Sequence, residues 1–269
     1  MRIRELINKL EEKYPFELQE EWDNSGLQIG NPDNELKGVV VSLDLEEGAI
    51  DYALEDKKAN LIITHHPYLF NPTKSIDFRD SFYNRLKKCI KNDITIYAFH
   101  TNLDIAEGGV NDNLAHILGL RDIKSLENGK ELGLGRYGYI DKQSANKFLK
   151  EVKEKLEASG LVVYGNCDKM IEKVALCGGA GSFLIEDAIN QACDLIVTGD
   201  VKYHEAMDMS NKGIIIADAG HFASENHIIY KLQDEIEEIT GKEVYTFSKT
   251  DRFRHFIWFY FYDKKGYLN

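Results

Sequence analysis

No apolar run in the 269 residues approaches the length needed to span a bilayer; the longest wholly apolar or aromatic one is Phe256 to Tyr262. The opening stretch, MRIRELINKLEEKYPF, is charged from the start and has no apolar signal core. Cysteine is sparse. Cys89, Cys167, Cys177 and Cys193 stand alone with no CxxC pair, which argues against a disulfide framework or a thiolate zinc site. A cytoplasmic location is expected, with the cysteines as small core residues. Basic charge is also in deficit: 33 Lys and Arg against 45 Asp and Glu leave a net charge of −12. Such a surface repels a phosphate polymer, so nucleic acid is disfavoured as a partner, and metal cations suit it better. There is no GxSxG and no low-complexity linker, and the glycine-rich turn CGGAGS fits neither a Walker A loop nor GxGxxG.

What the chain does have is alternation. Residues 2–12 read as an amphipathic helix, and Glu17 to Gly30 as turn-forming sequence rich in Asp, Asn, Ser and Gly. Val39 to Leu45 is a β-branched strand, 46–57 a helix, and ANLIITHHP a continuous apolar strand ending at His65, His66 and Pro67. A helix over 78–92, a strand from Ile94 to Phe99, a loop HTNLD and a helix over 110–118 complete a β-α-β-α-β-α series. Strands apolar on both sides require a sheet covered by helices on both faces. After residue 121 the reading is a strand over 131–139, a helix over 143–158 and a strand LVVYG. The alternation then resumes with KVALCGGAG, a helix over 182–192, DLIVTGD, a short helix over 202–209, GIIIADAG and a long helix over 222–238. ANLIIT and CDLIVT form a weak internal repeat. The expectation is an α/β protein of two similar halves with mainly parallel sheets, residues 1–122 and 123–269, the second carrying a strand-helix-strand insertion at 130–166.

Ligands in open α/β sheets gather beyond the carboxyl ends of strands. Those ends carry His65 and His66, then His100 and Asp104, then Asp200 and His204, then His221 and Glu225. Five of the eight histidines fall there. Adjacent residues on a regular strand face opposite sides, but Pro67 ends the strand and lets both rings converge. His221 and Glu225, four apart, share one helix face. Imidazole with carboxylate suits zinc, iron, manganese or nickel. Three imidazoles and two carboxylates exceed the needs of one tetrahedral ion that must also bind water, which favours two ions sharing a carboxylate. The turn CGGAGS, Cys177 to Ser182, has two readings, a phosphate cradle or a tight turn with Ser182 as helix N-cap, and the second is preferred.

Six motifs in order, EEWDNSGLQIG, THHPYLFNPTKSI, HTNLDIAEGGVNDNLA, KVALCGGAGS, TGDVKYHEA and DAGHFASE, resemble the GTP cyclohydrolase I type 2 family, also called Nif-three-like. The resemblance runs from about residue 3 to about residue 254. It implies a two-half α/β fold and a dinuclear centre of two divalent ions, in a hexameric toroid built as a trimer of dimers. By motif, the metal ligands are His65, His66, Asp104, His221 and Glu225, with Glu225 bridging. His100 and His204 stand near the metals as proton carriers or as partners of the ligands. The implied reaction converts GTP and water to formate and dihydroneopterin triphosphate by hydroxide attack at C8 of the guanine. Hydrolysis of another nucleotide or phosphate ester, and a non-enzymatic metal-binding or regulatory hexamer, are the alternatives. Two departures from the pattern are visible. The stretch 121–170 is too short for the further domain some relatives carry between the halves. The T-D-P-F-like close is replaced by Thr250, Asp251, Arg252, Phe253 and an aromatic extension, read as an added edge strand, an oligomer contact or a cloning or reading-frame artefact.

Overall fold

The computed structural model describes residues 1–56 and 58–248, so the aromatic extension lies outside the described residues. In chain order the elements are α1 (Ile3–Lys13), β1 (Gly26–Ile29), β2 (Val39–Ser42), α2 (Glu47–Asp51), β3 (Leu61–Thr64), α3 (Ser81–Lys91), β4 (Thr95–Ala98), α4 (Thr101–Ile105) and α5 (Val110–Leu118). They continue as β5 (Arg121–Ser125), β6 (Arg136–Ser144), α6 (Ala145–Lys155), β7 (Val162–Tyr164), β8 (Met170–Leu176), α7 (Ile185–Asn190), β9 (Leu195–Thr198) and α8 (Tyr203–Ser210). The last are β10 (Ile215–Asp218), α9 (His221–Glu225), α10 (Ile228–Thr240) and β11 (Tyr245–Phe247). No helix among the described residues is long and apolar enough to cross a membrane.

Two sheets result. The first has the order β1-β4-β3-β2-β11 and the second β5-β6-β8-β9-β10-β7. Each is built on a parallel triple, β2-β3-β4 in the first and β8-β9-β10 in the second. Antiparallel strands are added at the margins: β1 on β4, β7 on β10, and the β5-β6 pair on β8. The triples explain the continuous apolar runs. Val39 and Val41 enter one core with Leu61 and Ile63, while Val40 and Ile62 enter the core on the opposite face. Leu195 and Val197 likewise face away from Ile196. Because successive side chains alternate, a strand sandwiched between helix layers must be apolar throughout.

Several expectations need correction. The division at residue 122 describes the crossing into the second sheet, but the chain later returns. Apolar Ile228, Ile229, Leu232 and Ile236 of α10 join the first core, where α10 meets α1, and β11 pairs with β2. The turn-rich stretch before Gly30 contains β1, an edge strand whose register with β4 carries a bulge. The strand expected at 131–139 begins only at Arg136, because Gly135 adopts φ +71 and turns the chain just before it. The HTNLD segment is not a loop but α4, with all five residues buried. Its first amide, Thr101 N–H, donates to Asp23 Oδ2 at 3.0 Å, so a carboxylate distant in sequence satisfies the helix start. β5 and β11 carry no strong strand pattern and are set by pairing with longer neighbours. Cys89, Cys177 and Cys193 are buried, and Cys167 packs partly buried against the second core.

Arg136 ties the halves together. Its side chain is buried, pairs through Nε with Asp112 of α5, and donates to the carbonyls of Gly133 at 2.7 Å, Gly135 at 2.9 Å and Ile105 at 2.8 Å. A buried guanidinium is tolerable only with its donors satisfied in this way. The contact holds the end of α4, the helix that carries Asp104, against the second sheet.

Candidate metal centre

The carboxyl ends of both parallel triples meet. His65 and His66 come directly after β3, His100 after β4, and α4 presents Asp104; from the other side α9, directly after β10, presents His221 and Glu225. Three groups of donor atoms lie mutually within 4.8 Å: His65, Asp104 and Glu225; His66, His221 and Glu225; and His65, His66 and His100. The first two share only Glu225. Its Oε1 lies 3.7 Å from His65 Nε2, and its Oε2 lies 3.1 Å from both His66 Nε2 and His221 Nε2. Asp104 Oδ1 is 3.6 Å from His65 Nε2.

Every imidazole is oriented from behind. His65 Nδ1 donates to the Phe99 carbonyl at 2.8 Å. His66 Nδ1 bonds Asp44 at 2.8 Å, His221 Nδ1 bonds Asp200 at 2.7 Å, and His100 Nδ1 bonds Asp23 at 2.7 Å. A ring that donates its Nδ1 proton to a carboxylate or carbonyl turns the Nε2 lone pair toward the centre, the arrangement that metal-binding histidines use. Asp44 lies just beyond β2 and Asp200 just beyond β9, so both obey the strand-end rule, though only Asp200 stands among the sequence candidates. Asp23 comes from the loop before β1, within the EEWDNSGLQIG motif, but its place there does not mark it as the partner of a histidine. Asp200 adopts φ +54, a left-handed conformation that aspartate tolerates better than most residues and that aims its carboxylate at His221.

The donor set is short of positive charge. His65 Nε2 and Asp104 Oδ1 are buried with no hydrogen-bond partner, a costly state for polar atoms removed from water. Three Nε2 lone pairs and two carboxylates converge at distances that leave room for a cation but nothing to neutralise them. Protons are drawn in as substitutes. Burial opposes charging His66, but its bonds to Asp44 and Glu225 win and push it up to about 10. Burial likewise opposes charging His221, and the Glu225 bond lifts it to about 9. Burial raises Asp104, with repulsion from Glu225 adding to it, whereas the three histidines hold Glu225 well below the carboxylate range despite its burial. The residues present therefore fit a metal cation by donor chemistry, by orientation and by the unpartnered atoms.

The glycine turn serves this centre and not a phosphate. Gly178 N–H donates to Asn111 at 2.9 Å, Gly179 N–H to Ser224 Oγ at 3.0 Å and Gly181 N–H to Thr198 at 2.9 Å, so these donors are already engaged. A Cβ on Gly179 would stand 2.2 Å from Glu225 Oε1 and 3.2 Å from His221 Nε2. The turn is glycine because backbone passes directly against the Glu225 carboxylate. Ser182 does not act as the N-cap; it opens a single 3-10 turn, and Gly181 occupies the cap position. Cys177 borders the centre, but burial beside Asp104 and Glu225 pushes its thiol up, away from the thiolate form.

The structure does not bring His204 to the centre. It is exposed on α8 with its ring against Tyr203, because the turn at Asp200 directs that aspartate inward in its place. His100 does arrive, its ring 5.2 Å from that of His65. His227, unremarkable in the sequence, bridges α5 to the end of α9, with Asn113 at 2.8 Å and the Ser224 carbonyl at 2.9 Å.

Comparison with known proteins agrees with this fold. The family model described as Duf34/NIF3 (NGG1p interacting factor 3) matches residues 1–252. A Clostridium perfringens protein named GTP cyclohydrolase 1 type 2 homolog is 33% identical, over 91% of this chain and 94% of its own length. A Streptococcus pneumoniae protein of the same name is 37% identical, over 82% and 85%. The alignment with the Bacillus subtilis relative runs over 329 positions, more than this chain possesses, so that relative carries sequence with no counterpart here. Among solved structures, a Bacillus cereus protein related to NIF3 superposes with a TM-score of 0.87 at 28% identity, covering 96% of this chain and 99% of that one. Reduced HcgD from Methanocaldococcus jannaschii superposes with a TM-score of 0.80 at 30% identity, covering 91% and 97%. The chain belongs to the Duf34/NIF3 (NGG1p interacting factor 3) family.

Proposed function

We propose that the protein is a metal-dependent hydrolase that holds two divalent ions, one among His65, Asp104 and Glu225 and one among His66, His221 and Glu225, with Glu225 between them. The observation that carries this reading is that buried, partnerless His65 Nε2 and Asp104 Oδ1 gather at one oxygen of Glu225 while His66 and His221 gather at the other. The donor set accepts zinc, iron, manganese or nickel, and supply decides among them. Bound divalent ions contribute Lewis acidity and make water nucleophilic near neutral pH.

The chain's own groups complete the chemistry. Asp44, Asp200 and the Phe99 carbonyl fix the ligand rings, so the donors need no reorganisation when a cation enters. His100 lines the cavity above the centre and donates an Nδ1–H hydrogen bond to Asp23, which leaves Nε2 to accept or return a proton there. The names of the relatives point to GTP as substrate, opened to formate and dihydroneopterin triphosphate, with His100 moving the proton to a ring nitrogen. In the same proposal six chains assemble with their sites facing an inner cavity. Incubating metal-loaded protein with GTP and assaying formate tests the reaction: stoichiometric formate, lost in His100→Ala with metal content unchanged, is expected. No formate above a metal-free control would overturn the assignment of GTP.

A further inference from the structure

The cavity over the centre is about 410 Å³, within the range of small-molecule sites, and its walls differ in origin. Trp22, Pro67, Phe70 and His100 come from the loops of the first half; Ala180 and Phe183 come from the glycine turn of the second. Trp22, Phe70 and His100 form a mutual edge-to-face cluster, with centroid separations of 6.1 to 6.2 Å and interplanar angles of 69° to 88°. An edge-to-face cluster leaves ring faces unstacked. Trp22 is 58% exposed, Phe70 43% and Phe183 57%, although all three are large apolar side chains at the mouth of a cavity. Exposed rings gathered around a concave site mark recognition more than packing. Among the described residues lining the cavity there is no lysine or arginine, the side chains that ordinarily clamp phosphates.

From this arrangement we infer that the cavity binds a flat heteroaromatic ring, stacked on the Trp22–Phe70 side and closed by Phe183, with His100 at its edge, and that the protein side chains read the ring and not a phosphate tail. The inference rests on the metal-centre reading only for the location of the reacting atoms; the aromatic walls stand without it. Base stacking on protein aromatics tolerates different rings because every base offers a flat face. Guanosine, adenosine and a pterin are therefore all in the accepted class.

Titration calorimetry on the metal-loaded full chain tests this with guanosine, GTP, adenosine, a pterin and inorganic tripolyphosphate. Guanosine and GTP are expected to bind within about threefold of each other. Phe183→Ala and Trp22→Ala should each weaken both by about tenfold, while Trp22→Phe keeps most of the affinity. Both positions are exposed, so the variants retain the fold, and their metal content should equal that of the unaltered chain. The inference is overturned if none of the rings binds, if Phe183→Ala and Trp22→Ala bind as tightly as the parent, or if tripolyphosphate alone reproduces the affinity of GTP. Ring binding without formate release would remove the GTP reaction and leave this inference standing. Formate release with KM unmoved in both alanine variants would do the reverse.

Discussion

Glu225→Gln is expected to reduce bound metal from two ions per chain to at most one, and to weaken the remaining site on the order of 100-fold or more. Losing even an outer partner of a ligand costs 10- to 100-fold in metal affinity, and here a ligand itself is altered. Glutamine conserves volume, so the fold around α9 should persist. What changes is charge: His66 and His221 both address Glu225 Oε2, and His65 lies toward Oε1. An amide presents lone pairs on its oxygen alone, its NH2 being a donor group, and cannot ligate cations on both sides. Elemental analysis after dialysis gives the ion count, and circular dichroism confirms the fold. Two tightly held ions in the variant would show that the carboxylate does not bridge.

Gly179→Ala should have the next largest effect, through backbone. The residue adopts φ +64, where an L side chain costs about 1–2 kcal/mol. The added methyl would also overlap Glu225 Oε1 at 2.2 Å. Gly129 separates these contributions, since it adopts φ +79 with nothing within 4 Å of a built Cβ. Gly129→Ala therefore reports conformational strain alone, a lowering of Tm by a few degrees with metal content intact. Gly179→Ala should lose that stability and also its metal. Equal metal content in the two variants would mean that the glycine turn does not shape the centre.

The parts of this molecule that are legible in its sequence are those governed by local rules. Val39–Ser42, Leu61–Thr64 and Leu195–Thr198 are apolar on both faces because helices cover both faces, and the period of two vanishes for that reason. His65, His66, His100 and His221 stand out because each lies just past a strand's carboxyl end, where backbone stops being committed to the ladder. Less legible is whatever depends on distant partners. α4 forms in a sequence that reads as a loop because Asp23 receives its first amide. β11 is a three-residue strand that exists by pairing with β2, and no pattern of its own announces it. His204 shares a strand end with Asp200, and spacing cannot tell which of the two turns inward; the left-handed Asp200 decides it. Asp23 and Asp44 are ordinary acidic residues in sequence, and they acquire their role only when a histidine ring comes within 2.8 Å.

The central claim is that one carboxylate joins two cation positions, each completed by residues from both halves. Diffraction from crystals of protein purified without added metal, recorded across the absorption edges of manganese, iron, nickel and zinc, measures this directly. Two anomalous peaks are expected on either side of Glu225, one against His65 and Asp104 and the other against His66 and His221. A single peak remote from Glu225, or side chains with no anomalous density between them after soaking in each metal, would contradict it.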